Sequence, residues 1–338
     1  MRTRALLLST ALLLAGCSPV VSDLSSVDSI EEVLTQEVVW TPCEGSFECA
    51  EIAAPLDWLN PTDKFITLAM MRDTAASSKP AIFVNPGGPG VSAIKWMREG
   101  YDSIGSADLR SSFQLVAFDP RGVGESSAVS CSSVEKKDEV YYGQSPYPFG
   151  SEEDIAHSRK VLSEFALSCQ EKGFDVAYFN TQQAARDLEL MRELVGGEKL
   201  DYLGFSYGTL LGSTYAALFP DKVGRFVLDG AIDPRVSDEQ QSINQLAGFD
   251  LALNNYLKDC VAHDSTCPFK GGLWSAQQEV KQFLKKMERS TLPTDDGRKL
   301  TIASATTGLI MALYSDTYWI YLSQAFTEAF DGNGTTFI

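Results

Sequence analysis

The sequence predicts an α/β fold: a mostly parallel sheet covered on both faces by helices, with an inserted helical cap. Three observations point there. Apolar runs of strand length alternate with segments of helical period between residues 65 and 229. The strand-like runs end in Gly/Pro or Asp/Pro turns. Beyond Asp233-Pro234 the pattern changes to helical segments rich in Gln, Asn and Lys, with no clear strand.

In chain order, residues 1–16 read as an export signal. Arg2 and Arg4 supply the positive start, and an apolar run over residues 5–15 is too short to span a bilayer. Leu14-Ala15-Gly16-Cys17 resembles a lipobox, in which the cysteine is lipidated and becomes the first residue of the mature protein. The alternative is an ordinary secretory signal with an incidental cysteine. No later stretch offers about 20 consecutive apolar residues, so membrane attachment is expected through lipid alone, on the extracytoplasmic side. Residues 17–37 are polar and read as a tether. Residues 38–234 form the expected core, with strands over 65–70, 81–84 and 113–118 and a helix over 151–169 opened by a capping-box pattern at Ser151 and Asp154. A second helix follows over 183–195, then a strand over 200–204, a helix over 207–218 and a strand over 223–229. Residues 235–338 are the expected cap or lid.

With 44% hydrophobic and 22% charged residues the chain has ample material for a packed core, which argues against disorder. Its 28 Lys and Arg against 45 Asp and Glu give a net charge of −17, a surface that repels phosphate backbones and disfavours nucleic-acid partners. Setting Cys17 aside leaves six of the seven cysteines, an even number in an exported chain, so disulfides are expected. Proximity in the chain suggests Cys43–Cys49, Cys131–Cys169 and Cys260–Cys267. A metal site is the weaker reading, because no CxxC occurs and only His157 and His263 would be available to assist.

The chemistry centres on Gly204-Phe205-Ser206-Tyr207-Gly208, a G-x-S-x-G between an expected strand and an expected helix. A turn this tight excludes side chains at the two flanking positions, Gly204 and Gly208, and holds the serine hydroxyl exposed above a helix N-terminus: the nucleophile elbow. Asn85-Pro86-Gly87-Gly88-Pro89-Gly90 follows the strand over 81–84. Such a loop brings a backbone N–H against a developing oxyanion, with the Tyr207 N–H as second donor. A phosphate-binding loop is the competing use of glycine, but no Gly-Lys-Ser/Thr follows. In Phe118-Asp119-Pro120-Arg121-Gly122-Val123-Gly124-Glu125-Ser126, Arg121 is read as organising the loop rather than performing chemistry.

Together with Pro55-Leu56-Asp57-Trp58, Thr209 and Val227-Leu228-Asp229-Gly230, these motifs make the chain resemble the exported tripeptidyl-aminopeptidase and proline-iminopeptidase branch of the α/β-hydrolase superfamily, over roughly residues 40–235. The resemblance implies the α/β-hydrolase fold, Ser206 as nucleophile, Gly88 and Tyr207 as oxyanion donors, and a helical cap over the site. It implies hydrolysis of peptides from a free N-terminus, or of esters and related acyl compounds, with no metal or organic cofactor.

The resemblance also implies an Asp and a His following the cap, and here the sequence departs from the family. His157 precedes Ser206, against the Ser, Asp, His order of this fold. His263 falls inside the loop between Cys260 and Cys267 without a Gly-His context. Asp229 and Asp233 are read as structural or substrate-facing. The chain is therefore expected to be C-terminally truncated and inactive alone, with a separate C-terminal fragment as a possible source of the Asp and His, and with the strand over 223–228 exposed as an aggregation-prone edge. Two other readings remain open: a carboxylesterase on the same machinery, and a lipid-anchored binding protein that has lost catalysis.

Overall fold

The structure is a computed structural model that describes residues 27–61, 64–75, 77–173, 175–263 and 265–338. The expected signal over 1–16, the lipidation candidate Cys17 and the tether as far as residue 26 lie outside the described residues.

Seven strands form one sheet: β1 (Thr41–Pro42), β2 (Phe47–Pro55), β3 (Phe65–Asp73), β4 (Ala81–Asn85), β5 (Gln114–Phe118), β6 (Leu200–Phe205) and β7 (Val223–Asp229), in the order β1-β2-β3-β5-β4-β6-β7. The first three pair antiparallel, and β3 meets β5 antiparallel with Met70 opposite Phe118. Strand β4 pairs parallel with both β5 and β6, with Phe83 opposite Val116 of β5 and Tyr202 of β6. All five residues of β5 are buried, as befits a strand covered on both faces.

The helices are α1 (Ile30–Thr35), α2 (Ala93–Gly100), α3 (Ala107–Ser112), α4 (Val134–Tyr142), α5 (Glu152–Glu171), α6 (Thr181–Val195), α7 (Tyr207–Leu218), α8 (Asp238–His263), α9 (Leu273–Met287), α10 (Ile302–Leu313) and α11 (Trp319–Phe330). Helix α1 corrects the tether reading. Ser29 caps it by accepting the Glu32 N–H, Val33 is fully buried, and the Gln36 side chain pairs with both the N–H and the C=O of Ala53. One apolar residue with somewhere to bury, and one amide matching a free backbone pair, tie this polar-looking segment to the folded body.

By internal contacts the chain divides into two compact units. The first comprises the described residues up to Ser127 together with Gln182–Gly204 and Thr214–Val227. It holds most of the sheet, and its core includes Ile52, Leu68, Met70, Val84, Phe118 and Tyr202.

The second comprises Ala128–Thr181, Phe205–Ser213 and Leu228–Ile338. Its core is aromatic: Phe283 stacks on Phe337 with centroids 5.4 Å apart, and Phe326 meets Phe269, Phe283 and Phe337 edge-on. A hairpin of β8 (Leu292–Pro293) and β9 (Lys299–Leu300) lies within this unit, where the sequence shows no clear strand; two residues per strand are too few to leave a pattern. Helix α5 begins at the expected cap, with Ser151 Oγ accepting the Asp154 N–H. The reciprocal arm differs: the Ser151 N–H already binds the Pro148 C=O, so the Asp154 carboxylate takes the N–H of Gly150. The structure joins Cys43 to Cys49, Cys131 to Cys169 and Cys260 to Cys267. Among the described residues no helix is long and apolar enough to cross a membrane.

Candidate active site

Ser206 is the single residue between the end of β6 and the start of α7. Its φ is 51°, and it is the one non-glycine residue with positive φ among the described residues. An L-residue adopts that conformation only when its surroundings impose it. Here the imposing contacts can be named. The Ser206 N–H donates to the Asp229 C=O at 2.9 Å. The Ser206 C=O accepts both the N–H and the hydroxyl of Thr209, at 2.9 and 2.6 Å. The same buried Thr209 hydroxyl accepts the Ile232 N–H at 2.9 Å, tying the turn to the segment after β7. Gly230, at φ 70°, lies beside the turn, where a Cβ would make an ordinary contact with the Ser206 nitrogen at 3.6 Å. Gly204 and Gly208 are buried while Ser206 is exposed.

Tyr207 opens α7, so its backbone N–H has no intrahelical acceptor. Its phenol shares a 2.9 Å hydrogen bond with Thr181 Oγ1, and burial pushes its pKa up, keeping it neutral.

In the first unit, Asn85 ends β4 with 1% of its surface exposed, and its Oδ1 accepts the Gly87 N–H at 2.9 Å. At Gly88, φ is 111°, and a Cβ would lie 2.8 Å from the Gly90 nitrogen and 3.0 Å from that of Val91, so no other residue fits without moving backbone. Gly88, Pro89 and Gly90 are exposed. Arg121 organises its loop as the sequence suggests. It grips the Asp187 carboxylate with two hydrogen bonds, at 2.7 and 2.6 Å, and donates to the carbonyls of Leu56 and Pro55. Asp187 also accepts the Trp58 indole N–H at 2.7 Å. Gln183 completes the cluster, accepting the Trp58 N–H and donating to Asp57. The Pro55-Leu56-Asp57-Trp58 motif is thus a docking strip for a buried ion pair.

The structure does not bring either histidine to Ser206. His157 lies on α5 with its ring edge-on to Tyr147 at 5.7 Å, and His263, at the exposed end of α8, pairs through Nδ1 with Asp259 at 3.1 Å. Asp229 contributes its carbonyl to the elbow. Asp233 is held by Arg235 through two hydrogen bonds at 2.9 and 2.8 Å, which bring its pKa down to about 2. Among the described residues no group of three or more His, Cys, Asp or Glu side chains is arranged to hold a metal ion. A cavity of about 680 Å³ in the second unit is lined by Tyr142, Met311, Tyr318 and Tyr321 among others; Ser206 does not line it.

Residues 80–266 match the family described as alpha/beta hydrolase fold. The chain belongs to this family. It is 34% identical over 355 aligned positions to serine protease Hip1 of Mycobacterium tuberculosis, covering 99% of the chain and 67% of that protein. It is 37% identical over 315 positions to carboxylesterase B of the same organism, covering 91% of the chain and 58% of that protein. To the tripeptidyl aminopeptidase of Streptomyces lividans it is 30% identical over 308 positions, covering 87% and 56%. The chain therefore spans about two thirds of the first relative and less than three fifths of the other two.

Within this hydrolase fold, two residues that stand inside the sequence motifs have supporting roles that the sequence does not reveal. The partners of Thr209 and Asp119, Ile232 and Ser92, are 23 and 27 residues away in the chain.

Proposed function

We propose that the protein is an exported serine hydrolase with aminopeptidase-like activity, releasing short peptides from a free N-terminus through an acyl-enzyme on Ser206. The observation that carries this reading is the backbone of Ser206: an exposed serine forced to φ 51° between a strand and a helix presents its hydroxyl where a substrate carbonyl can reach it. In this reading the Ser206 Oγ attacks the carbonyl and the N–H groups of Gly88 and Tyr207 receive the oxyanion. The serine proton passes to an imidazole base, which returns it to the leaving amine, and water then hydrolyses the acyl-enzyme.

The base and the acid that orients it are proposed to come from residues outside this 338-residue sequence, in the same polypeptide or a second one, since His157 and His263 are engaged elsewhere. The greater length of the relatives supports this. Three disulfides support passage through an oxidising compartment, and Cys17 is proposed as the lipid anchor. The higher identity to carboxylesterase B favours a second reading, an esterase on the same machinery.

The test compares a tripeptide anilide with a free amine, its N-blocked form and a short acyl ester, using the full-length natural protein. Cleavage of the free-amine anilide alone, lost by roughly 10⁴-fold or more in Ser206→Ala, is the expected result. Turnover of the ester alone supports the esterase. Unchanged turnover in Ser206→Ala overturns both, and absence of any turnover points to a binding protein.

A further inference from the structure

We propose that Asp119 is the positioning residue that fixes the loop over residues 86–91, and with it the Gly88 N–H, an assignment that rests on the serine chemistry proposed above. The loop joins β4 to α2 through three glycines of positive φ: Gly87 at 92°, Gly88 at 111° and Gly90 at 100°. Its tip over residues 88–91 is exposed. A segment of this composition has little stiffness of its own, so its geometry is imposed from its ends.

The front end is held by Asn85, whose side chain accepts the Gly87 N–H. The back end is held by Asp119. Ser92, the N-cap of α2, accepts the Lys95 N–H at 3.0 Å and donates its hydroxyl to Asp119 Oδ2 at 2.9 Å. Asp119 Oδ1 accepts the Ile94 N–H at 3.2 Å, and Oδ2 also accepts the Glu125 N–H at 2.9 Å. The residue is fully buried just beyond β5, the strand hydrogen-bonded to β4. Its own N–H binds the Ala69 C=O of β3, and its C=O accepts the Ser126 hydroxyl at 2.5 Å. One carboxylate therefore refers the first turn of α2 to the rigid centre of the sheet, at the helix end where negative charge is favoured. Gly124 makes the room: a Cβ there would run into Asp119 Oδ2 and lie 3.0 Å from the Ser92 Cβ.

A donor aimed at an oxyanion is worth most when it needs no rearrangement during the reaction. Loosening the back end of the loop weakens an interaction made in the transition state, so the loss falls on kcat and spares KM. In the full-length natural protein, with the free-amine tripeptide anilide as probe, Asp119→Asn is expected to lower kcat roughly 10- to 100-fold with KM held within about twofold. It is also expected to speed hydrogen exchange over residues 86–94 while the sheet keeps its protection. Ser92→Ala shifts both readouts in the same direction, and Ser92→Thr, which keeps the hydroxyl, restores them; this pair decides if Asp119→Asn does not fold. Normal kcat in folded Asp119→Asn, or unchanged exchange in the loop, overturns the assignment while Ser206-dependent turnover stands. Wild-type turnover in Ser206→Ala removes the serine reading, and this role with it.

Discussion

Replacing Ser206 by glycine removes the hydroxyl and relieves the positive φ in one step, whereas alanine removes the hydroxyl and keeps the constraint. Ser206→Gly is accordingly expected to be more stable than Ser206→Ala by about 1 kcal/mol, both being without Ser206-dependent turnover, as read by paired thermal melts. Equal stabilities would mean that the contacts from Asp229 and Thr209 do not force the serine into a costly conformation. The elbow itself is legible in the sequence, because its steric demand is written into two glycines at fixed spacing. The residues that enforce it are not. Thr209 acts through the Ile232 N–H, a partner 23 residues away. Hydrogen bonds between segments leave no period or spacing to read.

Among the elements, α7 and β7 have the boundaries that periodicity predicts, and β4, β5 and β6 are found within a residue of expectation. Strands β4, β5 and β6 are largely buried, and all five elements are flanked by sharp turns. In helix α5 apolar spacing and burial part company. Its extent is close to prediction, yet Ile155 and Leu162, at helical spacing, are 46% and 54% exposed. Helix α5 is instead fastened by Cys169, bridged to Cys131 across 38 residues. Loop-closure entropy makes this bridge worth about 4 kcal/mol, against about 2 kcal/mol for the loops of six and seven residues closed by the other two. The double variant Cys131→Ala/Cys169→Ala is therefore expected to lower the melting temperature more than either of the other two double variants; the reverse ranking would show that α5 holds its place without the bridge.

For the molecule as a whole, a net charge of −17 favours solubility, but it does not cover the outermost strand. In β7, Val227 is 52% exposed and Phe226 and Leu228 are half-buried, at the end of the sheet order. An apolar strand with an open edge is a template for further pairing. The 338-residue chain on its own is expected to aggregate at micromolar concentration, and Val227→Lys to reduce the light scattering without changing the fold. A soluble monomer melting cooperatively would overturn that expectation. The bridges have a consequence for how the chain is made. Each cysteine of the three pairs joins the next one along the polypeptide, 43 with 49, 131 with 169 and 260 with 267. A chain emerging N-terminus first never has to leave a thiol waiting while a later pair comes into view. With Cys17 taken up by the lipid proposed above, oxidation in order of appearance gives this pattern, so these three bridges call for an oxidant and not for a shuffling catalyst.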